Sequence, residues 1–452
     1  MDKRENLTSH QKSPFGGFRG LSPKSPFGGI RGPRIFISAY ACEPGLGSEI
    51  GVGWHWVLEM SKYFDLWVLT RESNRVRIEN WTNSHPESQN IKFIYFDLPP
   101  WARRWKKGLR GVRTYYNIWT KLSDKLVKKT MIENDIKVFH HITYGNALWP
   151  VSKYGSSQTF IWGPIGGLET IPKEYSDHYD RKSRFIEKIR RIAINRAVKS
   201  KGLKKRCEKA SLILCKTEET LNKLPLKEKS KAILFTDVAA ETIPSSTSLK
   251  QNSSSIFDSP GGSQDPKPLS LLAVGRLDPW RGFDLAILAI KEVLKTNRKI
   301  HLTIVGKGPD KIRLNNLIQN NNLNQFVALT GQVDSERYRS LMQEADIILN
   351  PALKEAAVTV SFDAMAYGKP LIALDTGGYT RYFNPDYSIV LPRKDRETTI
   401  KAIADAIVEL NDPVRRLEMG HNAALAANNF SWENHGKEIR DCIHQTFDQS
   451  EK

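Results

Sequence analysis

Residues 269–295 read LSLLAVGRLDPWRGFDLAILAIKEVLK. The opening run, Leu269–Val274, is apolar and short, as a buried strand requires. Glycine, proline and charge follow in Gly275–Arg281, and from Gly282 to Lys295 the apolar residues recur with the helical period. A strand passed through a glycine turn into a helix is half of a βαβ unit. The same grammar continues downstream. Strands are predicted at His301–Val305, Phe326–Leu329, Ile347–Asn350 and Leu371–Leu374, and helices at Asp310–Asn320, Ser335–Glu344 and Val360–Tyr367. Such alternation with short connections predicts a parallel, doubly wound sheet.

Upstream the pattern repeats with other residues. Ile35–Tyr40, Leu66–Thr70, Ile91–Asp97, Val138–His141, Thr159–Trp162 and Leu212–Cys215 read as strands, and Ser48–Tyr63 and Ile118–Glu133 as helices. Between the two series lies Glu241–Pro268, rich in Ser, Pro, Gly and Gln, which cannot pack a core and reads as a linker. The expectation is therefore an α/β protein of two Rossmann-like domains, 34–240 and 269–452, facing a central cleft. The final helix is free to cross back to the first domain. Residues 1–33 read as a disordered Gly/Pro-rich tail, in which KSPFGGFRG (Lys12–Gly20) recurs as KSPFGGIRG (Lys24–Gly32).

Composition narrows the function. The 452 residues are 40% hydrophobic and 26% charged, enough to build cores and to exclude global disorder. The four cysteines, Cys42, Cys207, Cys215 and Cys442, are scattered and contain no CxxC pair, which argues against a disulfide scaffold or a structural zinc site. No apolar run reaches the roughly 18 residues of a membrane span, and the N-terminus carries no signal core, so a cytoplasmic location is expected. The net charge of +19 is unevenly placed: residues 269–452 hold 23 basic and 23 acidic residues, so the excess lies entirely upstream. It concentrates in Trp101–Lys129 and Arg181–Arg206. The basic half should meet an anionic partner.

Three glycine turns stand where strands hand over to helices. The first is Gly45-Leu-Gly47-Ser-Glu-Ile-Gly51-Val-Gly-Trp54, one residue longer than the dinucleotide fingerprint and without the Gly-Lys-Ser/Thr ending of a Walker loop. The second places Arg276 and Arg281 either side of a turn, where two guanidinium groups can converge on a diphosphate. The third is Gly306-Lys-Gly308-Pro309. Glu355 precedes a helix and Asp363 lies two turns further along. Such acceptor-only carboxylates suit the O–H donors of sugars. His140 and His141 end a strand of the first domain, and the sequence does not separate them.

These motifs, in this order over Arg34–Phe447 apart from the linker, resemble the GT-B glycosyltransferases of family 4, a retaining group that uses nucleotide sugars. The resemblance rests on Gly47-Ser-Glu49 with Gly51-Val-Gly-Trp54, Gly275-Arg-Leu277 with Arg281-Gly282, and Gly306-x-Gly308-Pro309. It rests also on Glu355 with Asp363-Ala-Met-Ala-x-Gly-Lys-Pro370, Trp162-Gly-Pro-Ile-Gly-Gly167 and Thr376-Gly377-Gly378. It implies that Arg276 and Arg281 neutralise a leaving diphosphate, that Glu355 holds hydroxyls of the transferred sugar, and that Asp363 binds the ribose. It implies donor contacts at Gly47, Gly275, Gly306, Gly308, Gly377 and Gly378, and a histidine, His141 by preference, near the anomeric centre. Asp363 stands where the family usually has Glu and Arg281 where it usually has Lys, one a methylene shorter and the other conserving charge.

Breaking a glycosyl–phosphate bond leaves negative charge on the diphosphate, which fixed arginines and helix N-termini can meet without a metal. The chain has no Asp-x-Asp pair, so neither a metal nor any other cofactor is expected, the nucleotide sugar being a co-substrate. Trp101, Trp105, Leu109 and Val112 fall on one helical face, with Arg103, Arg104, Lys106 and Lys107 around them, the pattern of an interfacial helix, which Phe185, Ile189 and Ile192 repeat. A saccharide or lipid-linked acceptor at an anionic membrane surface, the inner face of the cytoplasmic membrane, is the partner this suggests. Two rivals remain. One is a GT-B protein that binds sugar nucleotides without turnover, which the Asp363 and Arg281 departures would explain. The other is a nucleic-acid-binding protein, which would leave the neutral second domain unexplained, so no nucleic acid is expected.

Overall fold

The computed structural model describes residues 32–45, 47–103, 111–155, 157–241, 267–296, 299–354, 359–376 and 378–450. The repeat-bearing tail and most of the linker lie outside them, as do Arg104, Trp105, Lys106, Lys107, Glu355 and Gly377.

In the first half the strands are β1 Ile35–Ser38, β2 Leu66–Arg71, β3 Ile91–Phe96, β4 Val138–His141, β5 Thr159–Ile165, β6 Leu212–Cys215 and β7 Ala232–Leu234. They form one sheet in the order β3-β2-β1-β4-β5-β6-β7, every pairing parallel. The helices are α1 Ser48–Ser61, α2 Arg75–Asn83, α3 Pro100–Arg103, α4 Val112–Glu133, α5 Lys173–Ser176, α6 Arg181–Val198, α7 Lys201–Lys209 and α8 Glu218–Lys223. Alternate residues of β4 separate the two faces. Val138 packs with Trp56 and Val57 of α1, while Phe139 packs with Trp119 and Val127 of α4.

The second half holds β8 Leu269–Val274, β9 Ile300–Val305, β10 Val327–Gly331, β11 Ile347–Asn350, β12 Leu371–Leu374 and β13 Ser388–Leu391, again all parallel, in the order β10-β9-β8-β11-β12-β13. Its helices are α9 Phe283–Val293, α10 Lys311–Asn320, α11 Ser335–Glu344, α12 Thr359–Ala366, α13 Tyr379–Tyr382, α14 Arg396–Glu409, α15 Pro413–Ala427 and α16 Trp432–Ser450. α9 is buried along nearly its whole length between the sheet and α14, which explains its near-continuous apolar sequence. Both sheets reverse their winding beside their first strand, between β1 and β4 and between β8 and β11, and at such points ligands of open α/β sheets bind.

Three devices join the halves. α16 leaves the second sheet and packs on α1, Ile439 and Ile443 entering the first core. Gly436 makes that approach possible, since a Cβ there would stand 2.9 Å from Cβ of Glu59. The two chain crossings run side by side, with the Ala240 N–H donating to the carbonyl of Phe430 (2.8 Å). On the other side, Ile171, Tyr175 and Tyr179 join the core of the second half, and the Tyr175 hydroxyl donates to the Lys394 carbonyl (2.5 Å).

One expectation needs correction. Gly111 adopts φ 78°, in the left-handed region that ends a helix, and Val112 opens α4. Val112 therefore does not extend a helical face begun at Trp101. Trp101 itself is 74% exposed on α3, whose backbone ends its described run at Arg103.

Candidate active site

The turn after β8 is held by its neighbours. Gly275 N–H donates to the Val305 carbonyl (2.9 Å) and Leu277 N–H to that of Lys307 (3.1 Å). Gly306 has φ 144°, and a Cβ on it would lie 1.9 Å from the Gly275 carbonyl oxygen; one on Gly308 would lie 2.3 Å from that of Leu277. The two glycine turns thus interlock backbone to backbone, which no side chain would allow. A third turn joins them, as Leu353 N–H donates to the Trp280 carbonyl (2.9 Å). Arg393 ties this to the turn after β12, donating from Nη1 to the Leu353 carbonyl (2.8 Å) and from Nε to that of Asp375 (2.9 Å). There Gly378 has φ 126°, and a Cβ on it would meet nothing, so the backbone faces open space.

This framework brings Arg276, Arg281, Gly275, Gly306 and Gly308 together. Arg276 is about half exposed and its Nε contacts the Asp278 carboxylate at 3.0 Å. Arg281 lays its guanidinium carbon 4.4 Å over the Trp280 ring, with Nε 3.6 Å from where a Gly275 Cβ would be. A cation that sequence reasoning missed lies beside them. Lys354 is buried, its Nζ is 3.0 Å from Oε2 of Glu187 in the first half, and it sits 5.4 Å from the Trp280 ring centre. Burial, with Arg190 nearby, pulls its pKa down to about 8 despite Glu187. It immediately precedes Glu355 in the chain.

Asp363 lies on α12, where one carboxylate oxygen accepts from the Tyr338 hydroxyl (2.6 Å). Burial pushes its pKa up to about 7, against the pull of that hydrogen bond and with help from Glu241. In the turn after β12, the Thr376 hydroxyl is buried and has no hydrogen-bond partner among the described residues.

In the first half, both histidines of β4 are buried. His140 turns to Trp56 and donates from Nε2 to the Gly163 carbonyl (2.9 Å). His141 turns the other way, with Nε2 3.2 Å from the Tyr116 hydroxyl, which itself donates to the Pro150 carbonyl. Desolvation holds His140 near pKa 4 and His141, beside His140 and Arg206, near 3, so both are neutral at physiological pH. The ring of His141 is thus sealed under Tyr116 and does not open on the cleft in this conformation. Its Nδ1 has no hydrogen-bond partner among the described residues.

Gly47 caps α1 and is exposed, and Glu49 brings a carboxylate into the first turn, where it accepts from the Tyr144 N–H at 2.6 Å. That acid opposes the binding of an anion at this helix end. Lys216 and Asp237 form a buried pair (2.5 Å); burial lowers the lysine pKa, but Asp237 and Glu49 more than offset this and raise it. A cavity of about 370 Å³ lies between the halves, lined by Thr170, Ile171, Pro172, Lys173, Arg191, Glu219 and Arg393. The described residues contain no group of three or more His, Cys, Asp or Glu placed to hold a metal.

Residues 257–426 match the family model described as glycosyl transferases group 1. Among curated proteins, a phosphatidylinositol N-acetylglucosaminyltransferase component from Arabidopsis thaliana is 28% identical over 169 residues, covering 37% of this chain and 37% of that protein. An uncharacterized glycosyltransferase of Methanocaldococcus jannaschii is 30% identical over 175 residues, covering 38% of this chain and 44% of its own. The chain thus spans less than half the length of these relatives. Among solved structures, sucrose-phosphate synthase from Thermosynechococcus elongatus superposes with a TM-score of 0.60 at 16% identity, covering 92% of this chain and all of that one. Anabaena HepE, solved with UDP and glucose, gives 0.54 at 15%, covering 92% and 100%. The matched segment contains every glycine turn and cation of the second half described above, and the superpositions extend the same fold over the first half. Residues 257–426 are thus similar to the group 1 glycosyl transferases, and the chain has the two-domain GT-B fold of the solved structures.

Proposed function

We propose that the protein transfers a sugar from a nucleoside diphosphate sugar to a saccharide or lipid-linked acceptor, with retention and without a metal. The observation that carries this reading is the convergence of Arg276, Arg281 and Lys354 on one set of interlocked glycine turns, within the segment that matches the family. Diphosphate departure is the step that such a cluster assists, because its charge is in place before the bond breaks. Backbone N–H groups and the open turn at Gly378 complete the cradle, and Glu355 and Asp363 supply acceptors for sugar and ribose hydroxyls. UDP and glucose bound in Anabaena HepE support a donor of this class, and the phosphatidylinositol in the name of the Arabidopsis relative supports a lipid-linked acceptor. The reaction then lies in the cytoplasm, at the inner face of the membrane. Among the described residues no helix is long and apolar enough to cross a membrane.

The test is thermal stability of the protein against nucleoside diphosphates and their sugars, with and without EDTA. A ligand that binds only the native state raises stability by about 2.7 kcal/mol at a hundredfold excess over its Kd. A rise with one sugar nucleotide, unchanged by EDTA and abolished in Arg276→Ala, is expected. No rise with any of them would reject the donor assignment. The anomeric configuration of the product, read by NMR, decides retention, and an inverted product would reject it.

A further inference from the structure

The outer face of α6 leaves four large apolar side chains in water: Phe185, Ile186, Ile189 and Ile192 are 63%, 53%, 49% and 48% exposed. At 100° per residue they gather on one side of the helix, opposite Glu187 and Ile194, which are buried. Arg181, Lys182, Arg184, Lys188 and Arg196 are exposed around them, and the described residues give none of these cations an ion-pair partner. α7 continues the charge with exposed Lys201, Lys204, Lys205 and Lys209. The helix is firmly built, its N-terminus capped by Asp180, which accepts from the Lys182 and Ser183 N–H groups, and its inner side bonded through Arg191 to the Ile171 carbonyl. A surface this apolar and this basic on a rigid, capped helix calls for a partner that satisfies both properties at once.

A polyanion such as nucleic acid would satisfy the cations and leave three isoleucines wet. A lipid surface answers both, since acyl chains take up the apolar stripe while phosphate headgroups meet the cations beside it. We propose that α6 docks the protein on an anionic bilayer, with Phe185, Ile186, Ile189 and Ile192 entering the headgroup–acyl boundary. The opposite side of the same helix carries Glu187, which reaches Lys354 in the cleft, so the docked face and the site share one rigid element. The inference rests on the membrane part of the proposed function and not on turnover.

The experiment sediments the full chain with vesicles of phosphatidylcholine alone and of phosphatidylcholine mixed with phosphatidylglycerol. Binding is expected only to the mixed vesicles and to weaken with salt. The exposed double variants Phe185→Ser/Ile189→Ser and Arg184→Glu/Lys188→Glu should each lose binding about tenfold or more. Their thermal midpoints should match the parent, and Phe185→Leu, with Ile189 intact, should keep the parent's binding. Failure of the parent to sediment overturns the proposal. So does undiminished binding by the apolar variant, which would mark a nonspecific anion surface, or a change from dimer to monomer in that variant, which would assign the face to a second copy. Donor binding in the thermal assay is unaffected by any of these outcomes, so the two readings fail separately.

Discussion

Asp363 shows how burial sets the protonation of a carboxylate. A carboxylate at that position is drawn under Tyr338 and desolvated, and its proton is held to about pH 7. Since the folded state keeps a proton that the unfolded chain releases near pH 4, stability contributed below that point is lost as pH rises toward 7. Asp363→Asn, which preserves an acceptor for Tyr338 and cannot ionise, should therefore raise the thermal midpoint at pH 8, with the gain vanishing near pH 4. Parallel pH curves for the two proteins would show that Asp363 is ionised throughout. This environment could not be read from the sequence, because Tyr338 lies 25 residues upstream on another helix. Arg276 and Arg281, by contrast, were legible, because the turn that places them is local. The orientation of the two histidines was not, since it depends on which sheet face each residue meets.

At the scale of elements, the strands and helices that the sequence announced are those with long apolar or periodic runs. β7 and β13 escaped, one three and the other four residues long, only partly buried at the sheet edges and indistinguishable from loop by composition. The helical stripe read from Trp101 reached one residue too far, to Val112, because the periodicity ran on past Gly111, whose φ of 78° stops a helix. The glycine turns that follow β8 and β9 are stricter than any motif conveys. In Gly306→Ala a methyl group would be driven into the Gly275 carbonyl from a backbone angle that alanine rarely adopts. A loss of about 2 kcal/mol or more is expected in urea unfolding, together with weakened donor binding. A variant of unchanged stability would mean that the two turns separate readily.

For the whole molecule, the contacts that matter most are the ones no sequence pattern could pair. Lys354 and Glu187 are 167 residues apart and meet, buried, where the halves join. Glu187→Gln would leave a buried ammonium without its counter-ion, at a cost of about 3 kcal/mol. It would also let the Lys354 pKa fall below its present value near 8, so that the proton is given up nearer neutrality. The alkaline limb of the activity profile should move to lower pH; an unmoved limb would separate the pair from the site. The return of α16 to α1 has a different consequence. Because the last helix is lodged in the opposite core, the sequence order of the chain and its mechanical order disagree. Severing the backbone between 241 and 267 would yield two pieces that stay clasped, the second gripping the first with its own tail. The protein could accordingly be made as a reconstituted pair of polypeptides, neither of which has a complete core alone.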